Sequence, residues 1–274
     1  MSSQADCAAF NNCIFRSFQD TWMTSTNDSH RHYVKDCWIE GAVDYFYGGG
    51  DALLENCTLY NVRSGSVIVA PCHKDAKFGY IFRDCIVDGN ASAADGKQKL
   101  GRPWHNSPRA VYIHTTMRIP LAPEGWTNMG AIPGLFAEYD SRDTEGNVLD
   151  LSLRKTEYDG RGPNNPPKGS CRAIVTKEEA DSYVYERIIP GNDGWDPRTM
   201  MEKLPAPQNL KKQGTEQFIH YRWERGEISH NSVSSLVNDN QGRLWVGTWG
   251  GGINIMNPKA PNRPLQVIYT HPET

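Results

Sequence analysis

The chain has 274 residues, with 29 Lys and Arg against 32 Asp and Glu, and a formal net charge of −3. This balance argues against a dedicated nucleic-acid-binding protein. The sequence also contains no run of about 20 apolar residues that could span a membrane. Hydrophobic residues make up 38% of the chain, with eight Trp, twelve Tyr and eight Phe, so it can form a packed core and is not disordered. We therefore expect one long folded domain or two shorter ones.

A repeated pattern places a cysteine after Asn or Asp and before a short β-prone run, at Cys13, Cys37, Cys57 and Cys85. The steps between these cysteines are 24, 20 and 28 residues, which is the length of one solenoid coil. The pattern predicts an all-β fold, a parallel β-helix whose strands stack about 4.8 Å apart. We expect the four thiols to form a buried ladder in the core rather than a metal or redox site.

The composition changes after the repeats. Residues 159–168 are rich in Gly, Pro and Asn and predict a surface loop, while residues 176–185 predict a short helix with Thr176 as its N-cap. Prolines and small polar residues at 206–214 indicate a linker. The predicted organisation is a β-helix over 1–160, a tail over 161–205, the linker over 206–214 and a separate short β segment over 215–274.

Two aspartates share one position in successive coils, because Asp20 follows Cys13 by seven residues and Asp44 follows Cys37 by seven. Stacked carboxylates about one strand spacing apart do not both ionise easily, so one is expected to hold a proton. Such a pair supplies a general acid beside a nucleophile or base. The alternative, that each Asp only closes a turn, stays open from the spacing alone.

The residues around the two aspartates suit ester and sugar chemistry. Gln19 is a candidate hydrogen-bond donor to an oxyanion, and Arg102 could hold an ionised Asp through paired hydrogen bonds, although counting along the coils does not place it beside Asp44. Trp104 is an aromatic residue near Arg102. Other aromatic residues are expected to form a wall suited to a sugar ring, and they are Trp22, Tyr45, Phe46 and Tyr47.

Three segments, Gln19-Asp20-Thr21, Gly41-Ala-Val-Asp-Tyr-Phe-Tyr-Gly48 and Leu100-Gly-Arg-Pro-Trp104, resemble in order and spacing the central signatures of pectin methylesterases. Two later segments, Pro123-Glu-Gly-Trp126 and Phe136-Ala-Glu-Tyr139, are also similar to that family. The stretch Gly194-Trp-Asp-Pro-Arg198 is similar to tails of its bacterial members. The resemblance covers residues 1–205.

This resemblance implies a right-handed parallel β-helix that hydrolyses methyl esters of galacturonate units in pectin, with no metal and no organic cofactor. It implies that Asp44 is the nucleophile and that Asp20 is first the acid for methanol and then the base for water. Gln19 would donate to the oxyanion and Arg102 would keep Asp44 ionised. Substrate-binding positions are expected at Trp104, Phe46 and Trp126.

The resemblance also implies a further glutamine upstream of Gln19, in coils that the sequence as given does not contain. We therefore expect low or no esterase activity from this chain as it stands. Members of the family act outside the cytoplasm, so an extracellular or periplasmic location is expected, although the sequence shows no signal peptide. Pectin is the expected partner, with no nucleic acid and no membrane.

Residues 218–257 resemble one repeat of the sensor propellers of bacterial hybrid two-component regulators, notably in the run from Asp239 to Asn254. A propeller closes only with several such repeats. An alternative function is therefore a non-catalytic carbohydrate-binding or sensory chain. A polygalacturonase or lyase is less favoured, because the sequence contains no Asn-Thr-Asp or Gly-His-Asp triplet and no acidic cluster typical of calcium binding.

Overall fold

A computed structural model divides the chain into two compact units, Met1–Pro205 and Ala206–Thr274. The structure describes residues 1–162, 165–203, 225–230, 232–239, 241–248, 250–257 and 266–268. The predicted linker at 206–214 lies outside the described residues. No helix among the described residues is both long enough and apolar enough to cross a membrane.

The first unit is a parallel β-helix, and its strands follow one another coil by coil. The first coil contains β1 (Ala8–Asn11), β2 (Ile14–Arg16) and β3 (Trp22–Met23). The second contains β4 (Arg31–Lys35), β5 (Trp38–Gly41) and β6 (Val43–Gly48). The third contains β7 (Asp51–Glu55), β8 (Thr58–Asn61) and β9 (Val67–Pro71). The remaining strands are β10 (Tyr80–Arg83), β11 (Ile86–Gly89), β12 (Lys99–Gly101), β13 (Arg109–Ile113), β14 (Thr116–Met117) and β15 (Leu135–Tyr139).

These strands form three sheets, each built from equivalent strands of successive coils. The first sheet has the order β1-β4-β7-β10-β13-β15, the second β14-β11-β8-β5-β2, and the third β12-β9-β6-β3. All of the pairings within them are parallel, as in the second sheet, where Ile39 pairs with Leu59 and Leu59 with Val87. The predicted parallel β-helix is therefore confirmed.

The corner between the first and second sheets explains the Asn or Asp that precedes each cysteine. Asn12, Asp36, Asn56 and Asp84 all occupy the left-handed region, with φ between 52° and 54°. Asn and Asp adopt this backbone more readily than other residues with a side chain, because their short polar groups bond locally. The cysteine that follows turns into the core, and the ladder is confirmed, with Cys13 half-buried at its end.

Large side chains fill the interior of the β-helix as a continuous aromatic column. Successive ring centroids lie 5.2 Å apart for Trp22 and Phe46, 5.9 Å for Phe46 and Phe82, and 4.3 Å for Phe82 and Tyr112. The column continues through Trp126, whose centroid lies 5.8 Å from that of Tyr112. Full burial of each such side chain stabilises the fold by about 1.5–3 kcal/mol, so this column is a major part of the core.

The tail that follows the coils begins with an antiparallel pair, β16 (Glu157–Asp159) and β17 (Lys168–Ser170). Three short helices follow, α1 (Lys177–Ser182), α2 (Tyr185–Ile188) and α3 (Pro197–Glu202). Thr176 and Glu179 form a capping box at the start of α1, as the predicted N-cap requires. The predicted helix over 176–185 is shorter than expected, because it ends at Ser182 and α2 begins three residues later.

Two arginine contacts attach the tail to the β-helix. The Arg198 guanidinium lies 3.8 Å from the ring centroid of Tyr185 and forms an ion pair with Glu55 of β7 at 3.0 Å. Arg31 of β4 forms a second ion pair, at 2.5 Å, with Asp193. Both contacts hold the tail against the first sheet, at its strands β4 and β7.

The described residues of the second unit form an antiparallel sheet. Its strands are β18 (Val233–Asn238), β19 (Leu244–Thr248), β20 (Gly252–Met256) and β21 (Gln266–Ile268), in that order. Ile228, Val246 and Met256 form a small buried cluster on this sheet. Four antiparallel strands in sequence order are the arrangement of one propeller blade.

Candidate active site

The third sheet brings Asp20 and Asp44 side by side. Trp22 of β3 pairs with Phe46 of β6. Three residues earlier in each coil, Gln19 forms a bridge with Val43. The backbone N–H of Asp20 donates to the carbonyl oxygen of Val43 at 3.0 Å. This register places the two aspartates at equivalent positions of adjacent coils, which confirms the stacking predicted from the cysteine spacing.

Both aspartates depart from ordinary strand geometry. Their φ angles are 53° for Asp20 and 49° for Asp44, in the left-handed region that costs most residues free energy. At Asp44 the departure coincides with a bulge, because three steps along the chain separate Val43 from Phe46 while two separate their partners Val67 and Val69. A bulge changes the direction in which side chains point, and here it accompanies the carboxylate at the start of β6.

Arg102 reaches Asp44 across the intervening strand β9. Its Nε donates to Oδ1 of Asp44 at 2.8 Å and its Nη2 donates to Oδ2 at 2.6 Å, a two-bonded pairing of charged groups. Gly101 permits this approach, since a Cβ there would lie 2.4 Å from Cγ2 of Val69. Asp44 is only 6% exposed, so Arg102 compensates a carboxylate that is largely removed from water.

The charges around Asp20 favour its protonated form. Burial and the nearby negative charge of Asp44 raise the pKa of Asp20 above its ordinary value, against the opposing effects of a Gln19 hydrogen bond and of Arg102. The hydrogen bonds to Asp44 raise the pKa of Arg102, which therefore stays charged. The arrangement is a carboxyl group whose pKa is raised, beside a second carboxylate that Arg102 binds through two hydrogen bonds.

Two half-buried aromatic rings lie on the third sheet beyond the aspartates. The centroids of Tyr47 and Trp104 are 5.9 Å apart with the rings nearly edge to face, and His105 packs 4.9 Å from Trp104. Tyr47 follows Asp44 on β6, and Trp104 follows Arg102 by two residues. We call Asp20 and Asp44 the dyad. The rings of Tyr47 and Trp104 form a partly exposed aromatic surface beside it.

The expectation that Phe46 and Trp126 bind substrate is wrong, because both side chains are fully buried in the aromatic column. The bulge before Phe46 adds one residue, so Phe46 turns into the core and Tyr47 takes the outward position. Trp126 packs against Phe136, with ring centroids 4.7 Å apart. Trp22 and Tyr45 are also fully buried, so the predicted aromatic wall is reduced to Tyr47.

A second group of acidic side chains lies away from the dyad, where Asp6, Cys7 and Asp193 come together. Arg31 occupies the centre of this group and pairs with Asp6 at 2.8 Å as well as with Asp193. Its hydrogen bonds lower the pKa of Asp193 to about 2. Arg31 thus pairs with both carboxylates, and we assign this cluster to attachment of the tail.

Comparisons with known proteins give matches for both parts of the chain. A family model described as Pectinesterase matches residues 1–154, and one described as Two component regulator propeller matches residues 227–250. Pectinesterase 31 of Arabidopsis thaliana is 38% identical over 128 residues, which are 46% of this chain and 38% of that protein. The chain spans about half the length, or less, of the curated relatives it matches first.

Solved structures show the same fold. The pectin methylesterase from carrot matches with a TM-score of 0.55 and 20% identity, over 74% of this chain and 61% of that one. The pectin methylesterase from Aspergillus niger matches with a TM-score of 0.52 and 24% identity, over 69% of this chain and 58% of that one. At these identities the comparison supports the β-helix architecture.

Proposed function

Because the chain belongs to the pectinesterase family, we propose that it hydrolyses the methyl esters of galacturonate units in pectin to pectate and methanol. The observation that carries the proposal is the pairing of Arg102 with Asp44, by hydrogen bonds of 2.8 and 2.6 Å, beside an Asp20 whose pKa is raised. An ionised carboxylate next to a protonated one is what ester cleavage through a covalent intermediate requires.

The first half of the proposed reaction forms an acyl-enzyme. An oxygen of the ionised Asp44 attacks the ester carbonyl, and the electron pair of the C=O bond moves onto its oxygen. The side-chain amide of Gln19 donates to this oxyanion. When the C=O bond re-forms, the C–O bond to methoxide breaks and Asp20 transfers its proton to that oxygen, so methanol leaves.

The second half regenerates the dyad. Asp20, now ionised, takes a proton from water as the water oxygen attacks the acyl carbonyl. Collapse of this second tetrahedral intermediate breaks the bond to Asp44 and releases the galacturonate carboxylic acid. The protons and electron pairs are all carried by the dyad, water and substrate, so the proposed route uses no metal or organic cofactor.

The polysaccharide is proposed to lie over the third sheet against Trp104 and Tyr47, whose rings suit the apolar faces of sugars. A pectin methylesterase with the same fold, at a TM-score of 0.53 and 20% identity, has been solved in complex with a hexasaccharide. Pectin is a cell-wall polymer, and we therefore propose that the chain acts in an extracellular or periplasmic compartment on methylated homogalacturonan.

Methanol release from methylated pectin tests the proposal. We expect the Asp44→Asn variant to release methanol at least about 10³-fold more slowly than the parent chain, because the nucleophile is lost. Asp36→Asn is the matched control, since Asp36 has the same backbone conformation, with φ of 52°, at a corner of the first sheet. Methanol release by the folded parent that Asp44→Asn slows no more than Asp36→Asn does would contradict the proposal.

The match of residues 227–250 to the regulator propeller model favours a second candidate, a carbohydrate-binding chain with a sensory role. In that case the parent and the Asp44→Asn variant would bind oligogalacturonate equally, and neither would release methanol. Calorimetry with both proteins, run beside the methanol assay, separates the two functions.

A further inference from the structure

The turns between the second and third sheets lie next to the dyad in the chain, because the first one contains Asp20 and the second one directly precedes the strand of Asp44. In the first coil this turn carries Phe18 directly before Gln19, and in the third coil residues 62–66 carry Arg63. In the second coil a single residue, Ala42, separates β5 from β6. The short middle turn leaves room for Arg63 to reach back to the first coil, where its guanidinium carbon lies 5.7 Å from the ring centroid of Phe18.

Phe18 is unusual in being exposed. Phe18 is 56% exposed, whereas every other Phe and Trp among the described residues is buried or half-buried. The rings of its coil neighbours Phe15 and Trp22 pack together in the aromatic column, with centroids 4.7 Å apart. Core packing therefore does not account for an aromatic side chain at position 18.

Arg63 also differs from three other arginines of the β-helix, each of which pairs with a carboxylate. Arg16 pairs with Glu40 at 3.2 Å, Arg102 with Asp44 at 2.6 Å, and Arg118 with Asp88 at 3.3 Å. The structure shows Arg63 over the Phe18 ring, and within the described ranges no carboxylate lies within 4.0 Å of its guanidinium nitrogens. A guanidinium can stack on a ring while its N–H groups, which lie in its own plane, donate to a carboxylate.

We propose that Phe18 and Arg63 together bind an ionised uronate unit of the substrate chain next to the dyad. The ring takes the face of the sugar and the guanidinium takes its free carboxylate through charged hydrogen bonds. A methyl ester is uncharged and cannot form this ion pair. The proposal rests on the esterase function, and it implies a preference for chains that already carry de-esterified units.

Direct binding tests the proposal without requiring turnover. All proteins carry Asp44→Asn, so that esters persist, and calorimetry at low salt compares a de-esterified galacturonate hexamer with its fully methyl-esterified form. We expect the de-esterified hexamer to bind about tenfold more tightly, a factor typical of one charge-assisted pair, and Arg63→Gln to abolish the difference. Phe18→Leu should weaken binding of both hexamers.

Arg16→Gln is the matched control, because Arg16 is an exposed arginine on the second sheet, and it should leave both affinities unchanged. An Arg63→Gln variant that keeps the preference would overturn the proposal, and so would a protein that binds neither hexamer. If the chain with Asp44 restored releases methanol but shows no effect of Arg63, only the uronate site fails. If Arg63 governs binding but Asp44→Asn does not slow the methanol release of the chain that keeps Asp44, only the esterase function fails.

Discussion

Replacing Arg102 by Gln removes two hydrogen bonds from a carboxylate that is 6% exposed, at 2.8 and 2.6 Å. Hydrogen bonds to charged groups contribute about 1.5–3 kcal/mol each, which sets an upper range of about 3–6 kcal/mol. The Arg102 side chain is 27% exposed, so water replaces part of the loss. We therefore expect a coupling free energy between Arg102 and Asp44 of about 2–3 kcal/mol.

A double-mutant cycle measures this coupling by urea unfolding of the parent, Arg102→Gln, Asp44→Asn and the double variant. The matched cycle uses Arg118 and Asp88, an exposed pair at 3.3 Å, for which we expect at most about 0.5 kcal/mol. A coupling for Arg102 and Asp44 no larger than that of the control pair would refute the reasoning that the guanidinium compensates a buried charge.

Three further predictions concern named side chains. Trp104→Ala should weaken binding of oligogalacturonate in calorimetry about tenfold with little change in Tm, whereas Trp126→Ala should lower the free energy of unfolding by about 3–5 kcal/mol; equal effects on binding would contradict the assignment. Glu138→Gln leaves the buried Arg154 without its charged partner at 2.6 Å, so urea unfolding should show a free energy of unfolding lower by about 3–5 kcal/mol. A decrease of less than about 1 kcal/mol would contradict a buried ion pair at this position. Asn56→Ala should be less stable than Asn56→Gly by about 1 kcal/mol, because φ is 52° there; the reverse order of Tm values would count against the left-handed corner.

Much of the fold, and the alignment of Asp20 with Asp44, follow from the spacing of the cysteines. Each corner needs a left-handed residue followed by a small buried one, so the Asn-Cys and Asp-Cys pairs mark equivalent positions in successive coils. Counting from those positions aligns Asp20 with Asp44, and the observed pairing of Trp22 with Phe46 agrees. The prediction succeeds because local backbone requirements repeat once per coil.

The rest of the site depends on irregularities that spacing does not reveal. Arg102 follows a connection of nine residues, 90–98, between β11 and β12, whereas the equivalent connection in the second coil is the single residue Ala42. The sequence favours both Phe46 and Tyr47 for the aromatic wall, but the bulge at Val43 to Phe46 turns Phe46 into the core and leaves only Tyr47 facing outward. Exposed residues such as Phe18 carried no periodic signal, and only the three-dimensional approach of Arg63 draws attention to that position.

The central claim is that burial and the neighbouring carboxylate of Asp44 together raise the pKa of Asp20. The pKa of Asp20 lies above its ordinary value of 3.8, so the native state binds this proton more tightly than the unfolded chain. The resulting stability is complete below the unfolded pKa and is lost as pH rises through the raised pKa of the native state. Carboxyl-carbon NMR titration of Asp20 in the parent and in Asp44→Asn tests this most directly. We predict a raised pKa for Asp20 in the parent that falls in the variant; an Asp20 that titrates at or below 3.8 in the parent, or identically in both proteins, would contradict the account.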